Sequence, residues 1–80
     1  MVLKIANEKI NECKLKFTEL TFFIPNYIKM NLETRFAISE LISENGKLDD
    51  MQVLIDYDLE PGIVRIGMGQ GPTTSTIKIF

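Results

Sequence analysis

The chain has 80 residues, with Lys+Arg 9 against Asp+Glu 11 for a net charge of −2, no His, no Trp and a single Cys. This excludes an internal disulfide, a four-ligand Cys/His zinc site and any nucleophile activated by an imidazole. A length of 80 residues makes one domain, 1–80, whose small core favours added burial by oligomerisation, and 45% hydrophobic with 25% charged residues is the balance of a folded chain.

The first dozen residues favour a helix. Leu3, Ala6, Ile10 and Cys13 recur at helical spacing, although Val2-Leu3-Lys4-Ile5 would also suit the start of a strand. Charge arrives at Lys4, too early for the apolar segment of a secretory leader. The longest apolar run, Phe22-Phe23-Ile24, is far short of the ~20 residues of a bilayer span. No membrane association is expected, and one free thiol agrees with a cytoplasmic protein. Cys13 falls on the apolar stripe and is expected to be packed and inert.

Residues 14–24 are rich in β-formers, but their alternation slips between Phe17 and Leu20. A strand with a bulge near Thr18-Glu19 is expected there. In Phe22-Phe23-Ile24-Pro25-Asn26-Tyr27-Ile28, adjacent apolar side chains of a strand would face both ways. The stretch is either core on both sides or an aromatic patch for a partner. Phe22, Phe23, Tyr27 and Ile28 are therefore candidate partner-binding residues.

A central helix follows over about 32–44. Leu32, Phe36, Ile38, Leu41 and Ile42 supply its stripe, Asn31 its N-cap and Asn45-Gly46 its stop. The last third suggests a three-stranded β-meander over about 52–80, with strands near 52–60, 63–69 and 73–80. A type II turn at Pro61-Gly62 would pair Leu59 with Val64, Tyr57 with Ile66 and Ile55 with Met68 on one side, and Asp58 with Arg65 on the other. A second reversal at Gly69–Pro72 would pair Ile66 with Ser75 and Val64 with Ile77. Asp56 and Asp58 then look outward on an acidic meander face. The expected fold is α+β: a single small domain, an antiparallel or mixed sheet of about four strands, and the central helix on one face.

Gly67-Met68-Gly69-Gln70-Gly71-Pro72 has the glycine density of a phosphate loop. Such a loop needs a following helix, whereas β-formers follow here, and Pro72 stands where a Walker loop carries Lys. What remains is a candidate anion nest of Arg65, Gly67, Gly69 and Gly71. Asp56, Asp58 and Glu60 on a straight strand would stand ~6.5–7 Å apart, too far to converge on a metal. No catalytic residue, metal site or cofactor is expected, and the acidic balance argues against nucleic acid. The expected function is a non-catalytic protein-interaction module, self-associating as a homo-oligomer, docking through segment 22–28 or the acidic meander face. The alternative is a small anionic-ligand-binding protein or enzyme subunit using the Gly67–Pro72 loop.

Overall fold

A computed structural model of the chain describes residues 2–69, 71 and 73–80, and it begins with one long helix, α1 (Val2–Thr21). The apolar stripe does not stop at Cys13. Ala6, Ile10, Cys13 and Phe17 are all buried, with Leu3 packed beside them. About four turns of one continuous apolar face, Leu3 to Phe17, outweigh the β-propensity of residues 14–21, so the strand expected at 14–24 does not form and the chain is helix as far as Thr21. Leu15 and Leu20, which suggested alternation, lie off the stripe and are exposed. The hydroxyls of Thr18 and Thr21 donate to the carbonyls of Lys14 and Phe17 at 2.9 and 2.8 Å, so these β-branched residues are satisfied within the helix. The helix ends at Phe22, whose φ of 62° is left-handed and whose amide donates to the Thr18 carbonyl.

Five strands follow: β1 (Tyr27–Met30), β2 (Lys47–Leu48), β3 (Met51–Ile55), β4 (Ile63–Gly67) and β5 (Thr74–Lys78), in the order β2-β3-β1-β4-β5. β1 takes the middle, parallel to β3 and antiparallel to β4, with Ile28 beside both Val53 and Ile66. Residues 52–80 thus supply three strands but not a contiguous meander. The pairing of Tyr57 with Ile66 and Asp58 with Arg65 does not form. A physical reason is burial: Ile28 and Met30 are completely buried in the central position, which an edge would not provide.

The Pro61-Gly62 turn nevertheless forms. The Ile63 amide donates to the Glu60 carbonyl at 3.1 Å and Gly62 has φ +87°, as a type II turn requires. The Gly62 amide donates to Thr34 Oγ1 at 2.9 Å and its carbonyl accepts from the Ile79 amide at 2.7 Å. The turn is therefore anchored to a helix and to the end of β5 rather than to β3. The β4–β5 register is the expected one, Val64 with Ile77 and Ile66 with Ser75. Of the reversal that joins them, Gln70 and Pro72 lie outside the described residues.

The central helix is shorter than its pattern implies. α2 (Leu32–Ala37) is capped by Asn31, whose Oδ1 accepts from the Thr34 amide at 2.8 Å, and a 3-10 turn at Ser39–Leu41 replaces the rest. Thr34 and Ile38 point inward while Leu32 and Phe36 are exposed, which rotates the expected stripe. The buried side chains of α1, and Ile38 just past α2, join one core against one face of the sheet, formed by Ile28, Met30, Met51, Val64 and Ile66. The fold is α+β with a five-stranded mixed sheet, and its main helix is α1 rather than the central one.

Candidate functional site

Where α1 ends, apolar side chains crowd the surface. Leu20 is 75%, Phe22 89%, Phe23 56% and Ile24 70% exposed. A bulky L-residue in the left-handed region costs roughly 1–2 kcal/mol, and glycine normally stands at this point of a helix. Phe22 takes that conformation and then offers its ring to water, so the fold gains little burial from it. The Thr21 hydroxyl holds the bend by accepting the Phe23 amide at 3.2 Å.

Beside this knuckle lies a cleft of about 270 Å³. Phe17, Leu20 and Phe23 form one wall, and Met68, Gly71 and Thr73 of the β4–β5 connection form the other. The aromatic segment and the glycine loop, which the sequence suggests as separate sites, thus meet. The contribution of Leu20 is hidden in the sequence as long as residues 14–24 are taken for a strand. Once the helix runs to Thr21, Leu20 falls off the buried stripe.

Segment 22–28 does not form one surface. Phe22 and Phe23 are exposed, Ile28 is 0% exposed at the centre of the core, and Tyr27 lies on the opposite face of the sheet. The Tyr27 ring covers Gly67, where a Cβ would come within 2.5 Å of Cζ. Gly67 is a strand residue, and its carbonyl accepts from the Asn26 amide at 3.0 Å. The amides of Gly69 and Gly71 donate to Asn26 Oδ1 at 2.8 Å and to the Met68 carbonyl at 3.0 Å. Both are engaged, and neither converges with Arg65, which reaches across the sheet toward Thr76.

Asp56 and Asp58 do not lie on a sheet face. They belong to the β3–β4 connection, where Asp56 Oδ1 accepts from the Asp58 amide at 3.0 Å in an Asx turn. The expected acidic meander face is therefore not formed, because β3 ends at Ile55. Cys13 is buried, and that burial pushes its thiol above the ordinary range against a smaller opposing effect of Lys16. Among the described residues no group of three or more metal-ligating side chains gathers, and no helix is long and apolar enough to cross a membrane. Comparison with protein-family models, curated proteins and solved structures finds no match.

Proposed function

We propose that the protein is a cytoplasmic, non-catalytic interaction module that self-associates through the knuckle at the end of α1. The observation that carries this reading is adjacency: the strained, exposed Phe22 stands in the chain between Thr21 and Phe23, both of which line a cleft of about 270 Å³. A projection and a recess on one patch are what an isologous twofold interface uses, each copy filling the other's recess. An aromatic side chain buries roughly 150–250 Å², so Phe22 and Phe23 with Leu20 and Ile24 supply much of the ~800 Å² that a standard interface buries per partner. A domain of this size also gains proportionately more from added burial than a large one.

Sedimentation equilibrium of the wild type and of Phe22→Asp tests the reading. The wild type is expected to show a concentration-dependent dimer, and Phe22→Asp to sediment as a monomer with an unchanged circular dichroism spectrum. A wild type that stays monomeric over the accessible concentration range removes the proposal.

A further inference from the structure

The sheet face turned away from α1 is uncovered, and its side chains come from alternate positions of all five strands. By register, Lys47, Tyr27, Lys29, Arg65, Thr76 and Lys78 share it with Gln52 and the exposed Leu54 of β3 and with Ile63 of β4, and none of them belongs to the core. Lys29 and Arg65 are direct cross-strand partners. Like charges so placed repel and weaken a sheet. No carboxylate relieves them, since the ion pair found among the described residues joins Lys14 to Asp49. The nearest acid in register, Asp56, follows the end of β3 and turns an oxygen to the Asp58 amide.

The face also carries an aromatic platform. With no side chain at Gly67, the Tyr27 ring lies down across the neighbouring strand, and Lys29 Nζ stands 5.4 Å from its centroid. Arg65 Nε reaches toward Thr76 Oγ1 at 3.5 Å, which leaves the other guanidinium donors available. From Lys47 to Lys78 the face spans four strand spacings, about 19 Å. The acids that make the whole chain negative lie outside the five strands, on α1, on α2 and in the connections between strands, with Asp56 directly after β3.

We infer that this face binds single-stranded nucleic acid, with phosphates held by Lys29 and Arg65, Lys47 and Lys78 guiding the backbone at the flanks, and a base stacked on Tyr27. Charge complementarity requires a polyanion. Lys29 Nζ stands over the exposed side of the Tyr27 ring, so an unpaired base would stack there by displacing the ammonium, which its phosphate then takes up, the pattern of single-strand binding surfaces. An acidic peptide would use the charge and not the ring. The inference is independent of self-association, because the α1 knuckle does not belong to this face.

The test is fluorescence anisotropy with a labelled single-stranded oligothymidylate of about twelve nucleotides, a footprint within the usual range for such surfaces. Binding is expected at low salt, with log K falling against log salt at a slope of about −1.5 to −3, as about two to four phosphate contacts imply. The Lys29→Gln/Arg65→Gln variant removes a like-charge pair, so its melting temperature is expected to hold while affinity falls about tenfold or more. Lys4→Gln/Lys9→Gln makes the same charge change on α1 and is expected to leave affinity within about twofold, since those charges sit off the face. Tyr27→Leu is expected to weaken binding about fivefold or more through lost stacking. Any of three results would overturn the inference: no binding of the oligothymidylate at low salt, an equal loss in the α1 variant, or equal affinity for polyglutamate with no effect of Tyr27→Leu.

Discussion

Gly62 donates its amide to the hydroxyl of Thr34 at 2.9 Å, and that hydroxyl donates in turn to Asn31 Oδ1 at 2.9 Å. One completely buried side chain thereby joins the cap of α2 to the turn that launches β4. Replacing Thr34 by Val keeps the shape and removes the oxygen, which leaves the Gly62 amide buried without a partner. A loss of about 1–3 kcal/mol is expected. At about 4–8 °C per kcal/mol for a domain of this size, thermal denaturation resolves it. An unchanged melting temperature would mean that the link contributes nothing.

Phe22→Gly is expected to have opposite effects on folding and on association. At φ 62° glycine relieves the strain that a phenylalanine bears there, so the monomer should gain about 1 kcal/mol. Dimer formation should weaken in the same variant, because the projecting ring is gone. Denaturation in dilute solution and sedimentation at high concentration separate the two. A lower midpoint would count against strain at Phe22, and undiminished association against its docking role.

Gly67 and Tyr27 should be strongly coupled. Gly67→Ala forces a methyl group into the space of the Tyr27 ring and is expected to cost about 1–3 kcal/mol. Most of that loss should vanish when Tyr27 is already Ala, so the double variant will be far from the sum of the singles. Additive losses in the urea midpoints would show that the ring moves aside freely.

The pattern of residues discloses the elements better than their neighbours in space. The spacing of Leu3, Ala6, Ile10 and Cys13 points to the first half of α1 only, whose second half reads as a strand, and the chemistry of Pro61-Gly62 and Asn31 identifies a turn and a cap, because these signals are local. The β4–β5 register follows from matching apolar positions across one short connection. Tyr27–Met30 leaves almost no local trace, being four residues long, and its central place depends on two strands far along the chain. That one insertion separates β3 from β4 and moves Asp56 and Asp58 off the sheet. Phe22 and Phe23 are legible as a candidate patch. The cleft beside them is not, since Met68 and Thr73 reach it only through the tertiary fold.

Cys13 makes stability depend on pH in the alkaline range. Burial raises its folded-state pKa above the ordinary thiol value of 9.0, so on raising the pH the unfolded chain loses this proton first. The stabilising contribution is complete below 9.0 and is lost as pH climbs through 9.0 toward the higher folded value. Urea midpoints across this range should fall more steeply for the wild type than for Cys13→Ala. Parallel curves would assign the alkaline loss to other groups. In the native protein the thiol should also react slowly with a disulfide reagent at neutral pH.

β1 is flanked only by strands made after it, since Met30 precedes Met51 and Ile63 in the chain. During synthesis the middle of the sheet therefore leaves the ribosome before either neighbour exists. The apolar stripe of α1 likewise waits for Val64, Ile66 and finally Ile79. No early fragment can close on itself, so folding should be all-or-none and slow for so short a chain. In that interval Ile28 and Met30 are open to a chaperone or to another unfinished chain, a vulnerability set by strand order.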